Sequence, residues 1–189
     1  MIAQIKSYTE RKIQRNFKWG SSILTFSFYG TFVYFISKKE AIFSLDSNLF
    51  SEIMTVLTVG FLFGNILTFS MCYLIKLTSK IFRVTVMVKE IAHVFTIAYK
   101  PHLVSVLLVI LSLTGNHYLD SNLMQDNPMI VFGLAVIIYF FTALVSIFSL
   151  IIKFYGLTLT LNLTLGKTIL SFLFASTLFS PIYFLLLRL

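Results

Sequence analysis

The sequence predicts an all-α membrane protein, a polytopic bundle of five transmembrane helices with one or two amphipathic helices at the membrane surface. Of the 189 residues, 58% are apolar and only 12% are charged, whereas a soluble domain is roughly 45–50% apolar and about 25% charged. The mean hydropathy is +0.91, and long charge-free runs recur along the chain. This composition excludes a soluble enzyme, a disordered tail, a collagen-like chain and a disulfide scaffold.

Five apolar runs approach the roughly 20 residues that a helix needs to cross a hydrocarbon core about 30 Å thick. We predict spans at about 19–37, 53–75, 98–119, 128–152 and 168–187. The third crosses only if Lys100 and His102 reach back to the interface. The first is too long for a signal peptide and no Ala-x-Ala site follows, so we expect it to be an uncleaved span. Residues 19–189 then form one membrane domain, preceded by a basic amphipathic segment at 1–18.

Basic residues set the predicted orientation in the cell membrane. Most of the 15 Lys and Arg residues fall in segment 1–18, in the loop between spans 2 and 3, and in the loop between spans 4 and 5, where we place Lys153 and Lys167. Cytoplasmic loops carry the excess of Lys and Arg, which predicts a cytoplasmic N-terminus and an external C-terminus. The same positive face favours contact with anionic lipid headgroups rather than with nucleic acid.

The second span contains Gly60 and Gly64, a GxxxG pattern followed directly by Asn65. Glycines four residues apart let two helices approach closely, and an Asn amide can donate a hydrogen bond across the contact. The pattern predicts a helix-packing contact. We favour packing inside one chain over packing between two copies, and a homo-oligomer stays open.

The segment at about 84–100 predicts an amphipathic helix that lies on the membrane. Its polar residues are three or four apart and share one face; they are Thr85, Lys89, His93, Thr96 and Lys100. The stripe indicates a contact with lipid headgroups or a protein partner, or more simply a solvated helix face. Pro101 is expected to end or kink the helix before span 3, and Pro181 to kink span 5.

Catalytic or metal-ligating constellations are missing from the sequence. His93 and His102 are predicted near the inner surface and His117 outside, so the three cannot converge on a metal or haem, and there is no HExxH or Cys-rich pattern. The aspartates fall in outer loops, and no Ser–His pair lies at depth. We therefore expect a non-enzymatic protein without a cofactor.

Two stretches of the second half carry a pattern found together in one family. The amphipathic stretch from Val84 leads through Ala98-Tyr99-Lys100-Pro101 into an apolar span that reaches Leu111. From Phe141 to Leu170, a long span is followed by Phe154-Tyr155-Gly156-Leu157, and Leu165-Gly166-Lys167-Thr168 opens the last span. In these features the chain resembles bacterial members of the YIP (Ypt-interacting protein) family, while the aspartate-containing motif of eukaryotic members is absent.

The resemblance implies a non-enzymatic membrane scaffold or partner subunit with five spans. Some bacterial relatives are associated with ABC-type export systems or with protection against membrane-active peptides, so ABC transporter subunits are candidate protein partners. The alternative function is a small transporter or channel in its own right.

Overall fold

The computed structural model describes residues 9–10, 13, 17–43, 49–104, 106–108, 110–111 and 128–188. Every secondary-structure element in these ranges is helical, which confirms the all-α class for this part of the chain. The α-helices are α1 (Trp19–Phe43), α2 (Leu49–Ser79), α3 (Val88–Tyr99), α4 (Pro128–Leu161) and α5 (Leu165–Arg188). Short 3-10 turns, Lys80–Phe82 and Lys100–His102, follow α2 and α3.

Two of the described helices are long and apolar enough to cross a membrane by length and composition. The stretches are Phe50–Phe82, with 33 residues and a mean hydropathy of 1.8, and Phe140–Leu161, with 22 residues and a mean hydropathy of 1.9. They correspond to predicted spans 2 and 4. The other three spans stay predictions: α1 and α5 cover spans 1 and 5, and span 3 falls partly on 112–127, outside the described residues.

The helices run past the charged residues at which the predicted spans end. In α2, Glu52 lies in the first turn and Lys76 in the last turn, where each charge complements the helix dipole. Helix α4 continues through Lys153 to Leu161. The prediction that Lys153 lies in a loop is therefore wrong. The connection to α5 is only residues 162–164, and Asn162 turns the chain with a φ of 50°, a conformation that Asn tolerates.

Helix α3 is shorter and more deeply packed than the predicted surface helix at 84–100. Arg83 has a φ of 59° and Met87 is extended, so the helix begins at Val88 and leaves Thr85 outside it. The Met87 N–H donates a 2.8 Å hydrogen bond to the Glu90 carboxylate, which caps this start. Most of α3 is buried: eight of its 12 residues, all between Ile91 and Tyr99, are shielded from solvent.

The hydrophobic core is built around α3, with contributions from all five helices. At its centre Ile91, Val94 and Phe95 are almost fully buried. The neighbouring helices supply side chains to the same cluster, among them Phe26, Cys72, Ile75, Leu157, Ala175 and Phe179. Helix α3 therefore lies among its neighbours and not on the outside of the bundle.

The outward sides of the long helices are apolar. We call this the apolar outer surface and define it by large exposed side chains of α2, α4 and α5, namely Leu62, Ile66, Phe140, Phe141, Leu144, Leu173, Phe174 and Leu178. Several small polar side chains are buried instead, including Ser22, Thr31, Thr68, Ser149 and Ser171. The distribution is the reverse of that expected for a water-soluble bundle.

Candidate functional site

The glycine pattern of α2 forms a contact with α1 inside the chain. A Cβ added to Gly64 would lie 2.6 Å from the Cα of Gly30 and would overlap the carbonyl oxygen of Phe26. A Cβ added to Gly60 would lie 2.9 Å from the backbone nitrogen of Thr31. The two backbones therefore touch, and this contact requires three glycines. Gly30 was not identified from the sequence, where it stands between Tyr29 and Thr31 in predicted span 1.

Asn65 reinforces the same contact. Its amide nitrogen donates to the Ser27 hydroxyl at 2.8 Å and to the Phe61 carbonyl oxygen, one turn earlier, at 2.9 Å. The side chain therefore joins α2 to α1. Gly60, Gly64 and Asn65 together form one intramolecular packing site.

The predicted polar stripe divides into a buried part and an exposed part. Thr96 is only 4% exposed, donates to the Ser22 hydroxyl of α1 at 2.8 Å and also bonds the Ala92 carbonyl. Lys89 and Thr85 are exposed, whereas His93 and Lys100 are half-buried. The stripe is thus not one solvated face, since Thr96 links two helices.

Lys89 and His93 meet in a cleft of about 590 Å³ beside the N-terminal segment. Its lining residues are Ile13, Phe17, Trp19, Lys89, Glu90, His93 and Thr160. Phe17 stands edge-on to both Trp19, at 4.7 Å between ring centroids, and His93, at 5.6 Å. The Thr160 hydroxyl is buried and has no hydrogen-bond partner within the described part of the chain. We call this feature the amphipathic cleft.

The residues lining the cleft come from distant parts of the sequence, and contacts of Glu10 and Ile13 with α4 lie close to it. Tyr155 of α4 donates a 2.7 Å hydrogen bond to the Glu10 carboxylate. A Cβ added to Gly156 would lie 3.5 Å from the Ile13 methyl group and 2.7 Å from Val94. The absence of a side chain at Gly156 therefore lets Ile13 and Val94 both lie against α4.

A second cluster surrounds the half-buried side chain of Lys153. Its ammonium lies 4.8 Å from the centroid of the Tyr99 ring, 5.2 Å from that of Phe95 and 5.7 Å from that of Phe172. In the described part of the chain, aromatic rings rather than a carboxylate hold this charge, through cation–π attraction. Sequence reasoning missed the cluster because it ended span 4 at the charge, although apolar and aromatic residues flank Lys153 on both sides.

His102 lies next to this cluster and is buried. It is 4% exposed, and its ring contacts Tyr29 at 5.1 Å and Tyr99 at 6.2 Å, while the rings of Tyr29 and Tyr99 stack at 3.8 Å. The Nδ1 atom of His102 is buried without a hydrogen-bond partner. His102 thus does not reach back to the interface as the sequence reasoning expected. Tyr29, Tyr99, His102 and Lys153 form what we call the aromatic–basic cluster.

The remaining predicted site residues do not join either cluster. Pro101 lies in the 3-10 turn after α3, and helical residues resume at the described positions between 103 and 111. Pro181 lies inside α5, which continues to Arg188. His117 lies outside the described residues. Among the residues that the structure describes, no group of three His, Cys, Asp or Glu side chains converges.

Comparisons with known proteins give no relative from which a function could be transferred. No family model matches the chain, and no curated protein or solved structure matches it. The described fold therefore defines the class only as an all-α protein with two helices able to span a membrane. The resemblance to the YIP family stays a prediction.

Proposed function

We propose that the chain is an integral membrane protein of the cell membrane whose five predicted spans form one helical bundle. The apolar outer surface supports this proposal, because exposed side chains such as Leu62, Phe140 and Leu173 would face lipid instead of water. The basic sequence of segment 1–18 favours a cytoplasmic N-terminus, and an odd number of spans puts the C-terminus outside.

Within the membrane, we propose a non-enzymatic role as a scaffold or partner subunit of the YIP type. The observation that carries this proposal is the use of polar side chains for joining helices: Asn65 bonds Ser27, Thr96 bonds Ser22, and the Thr78 and Ser171 hydroxyls lie 2.9 Å apart. Hydrogen bonds between polar side chains of neighbouring helices stabilise a rigid bundle. The proposed role is accessory either to an ABC-type exporter or to defence against membrane-active peptides.

Alkaline extraction followed by cross-linking tests the two parts of this proposal separately. The tagged chain should stay in the membrane pellet at high pH and dissolve only with detergent, because its outer surface is apolar. Cross-linking in native membranes before mild solubilisation should then recover ATPase or permease subunits in fixed proportion to the chain. Two copies with different tags report self-association in the same sample. A chain recovered only as an isolated monomer would reject the partner role.

The alternative is a small transporter or channel, and the aromatic–basic cluster is the observation in its favour. Ionisable residues inside a membrane bundle often mark substrate or ion pathways; His102 is buried, and Lys153 is half-buried against aromatic rings. Cysteines introduced at Asn65 and beside Pro181 should react with a membrane-impermeant thiol reagent if a water-filled path exists. Complete protection at both positions would reject a pore.

A further inference from the structure

The amphipathic cleft combines a positive charge, an unsatisfied hydroxyl and an apolar wall. Lys89 is exposed at its edge. Thr160 lines the cleft, and its buried hydroxyl has no hydrogen-bond partner among the residues that the structure describes, which is costly for a buried donor. Ile13, Phe17 and Trp19 form the apolar side. A ligand that satisfies all three features needs an anionic, hydrogen-bond-accepting head and an apolar body.

We infer that the amphipathic cleft binds an anionic phospholipid, with the phosphate held by Lys89 and Thr160 and the glycerol and upper acyl chain against Trp19 and Phe17. This inference rests on the proposed membrane location. Free phosphate has no apolar part to occupy the aromatic wall, whereas Trp and Lys together are typical of the level of lipid headgroups.

Two carboxylates, each hydrogen-bonded within the protein, and one imidazole also lie at or near the cleft. Glu90 also lines the cleft, and its carboxylate accepts the Met87 N–H at the start of α3. The Glu10 carboxylate accepts the Tyr155 hydroxyl. His93 lies one turn along α3 from Lys89 and lines the cleft with it.

Trp19 provides a direct measurement, because it is the single tryptophan of the chain and it lines the cleft. The full-length protein is placed in bilayers of phosphatidylcholine, and either brominated phosphatidylglycerol or brominated phosphatidylcholine is titrated in as a quencher of Trp19 fluorescence. Phosphatidylglycerol should quench at a mole fraction roughly tenfold lower than phosphatidylcholine, which corresponds to one charge-assisted hydrogen bond.

Three variants assign the preference to the cleft. Lys89→Gln should remove the tenfold preference, and Thr160→Val should reduce it a few-fold, since it deletes one hydroxyl at nearly constant volume. The matched control is Lys80→Gln, which removes an exposed lysine outside the cleft and should leave the preference intact. Equal preferences in Lys89→Gln and Lys80→Gln would overturn the inference, because the effect would then be one of general surface charge.

The outcomes also separate this inference from the proposed membrane location. Quenching by neither brominated lipid would mean that the chain is not embedded, which rejects the proposed function and the inference together. Equal quenching by both lipids would leave the membrane location standing and reject the anionic site. Millimolar inorganic phosphate is compared with sodium chloride at equal ionic strength. If only phosphate abolishes the preference, the site binds free phosphate and the inference of a lipid ligand is rejected.

Discussion

Lys153 is half-buried in the helical bundle, so the loss of water around its ammonium must be offset by other contacts. Lys153 presents its ammonium to the rings of Phe95, Tyr99 and Phe172 at 4.8–5.7 Å. Aromatic faces carry partial negative charge, and each such contact is worth about 0.5–2 kcal/mol when water is excluded. These three aromatic rings offset part of the desolvation cost of the ammonium and make the site selective for a cation.

Substitutions at Lys153 should separate charge from volume. We expect Lys153→Met to keep the free energy of unfolding in micelles within about 1 kcal/mol of the parent, because a flexible apolar chain fills the same space. Lys153→Glu should lose roughly 3–5 kcal/mol, since it buries a carboxylate against electron-rich rings. Chemical denaturation followed by circular dichroism measures both. Equal stability of the two variants would show that the aromatic rings around position 153 do not distinguish a neutral side chain from a negative one.

Cys72 gives a second test at a single residue. It is the only cysteine in the chain and is 0% exposed, so a maleimide can reach it only when the bundle opens. In detergent that preserves the fold, we expect labelling on the order of 100-fold slower than after unfolding in SDS. The control is Lys80→Cys in a Cys72→Ala background, where the exposed position should label at once. Fast labelling of native Cys72 would contradict the packing around α3.

At the scale of elements, the glycine contact between α1 and α2 depends on backbone proximity. Lipid chains are as apolar as leucine, so helices in a membrane associate through close van der Waals contact and hydrogen bonds instead of hydrophobic burial. Gly30 and Gly64 bring the two backbones together, and Asn65 adds a hydrogen bond to Ser27 beside them. The position of α1 on α2 follows from these few residues.

Adding one methyl group at this contact should separate the helices. Gly64→Ala should lower the free energy of unfolding by about 2 kcal/mol, because the new Cβ overlaps the Phe26 carbonyl oxygen. The matched control is Gly20→Ala in α1, where a Cβ would meet nothing within 4 Å, and we expect a change within about 1 kcal/mol. Thermal unfolding of both variants in the same detergent compares them. Similar losses would mean that helix propensity, not the contact, decides the result.

The sequence predicts where the helices lie along the chain better than it predicts which helices pack against each other. The reason is physical. In water, a helix shows its buried side by apolar periodicity, but a helix with an apolar outer surface is apolar on both sides, so periodicity does not reveal its partners. Small and polar residues are the remaining signal, and they identified Gly60, Gly64 and Asn65. The sequence did not predict the aromatic–basic cluster, because a charged residue such as Lys153 is typical of the end of a membrane span. In the structure α4 continues to Leu161.

At the scale of the whole molecule, the region between α2 and α4 decides on which side the C-terminus lies. Residues 162–164 connect α4 to α5, and the chain turns back there, because Thr158 contacts Thr168 and Phe154 contacts Phe172. Helix α3 has 12 residues and is about 18 Å long, too short to cross a bilayer alone. A crossing therefore needs the helical residues that follow Pro101, and the predicted external C-terminus depends on them.

Reporter fusions should place the two ends of the chain on opposite sides of the membrane. Alkaline phosphatase is active only outside the cytoplasm, so its fusion after Leu189 should be active, while green fluorescent protein at the N-terminus should be bright, as the basic segment 1–18 predicts. A phosphatase fused after Lys167 serves as the inactive control, since this position is predicted to be cytoplasmic. If the Leu189 fusion were inactive and the Lys167 fusion active, segment 98–119 would return to the side from which it entered. The aromatic–basic cluster would then lie beneath a re-entrant segment instead of inside a five-span bundle.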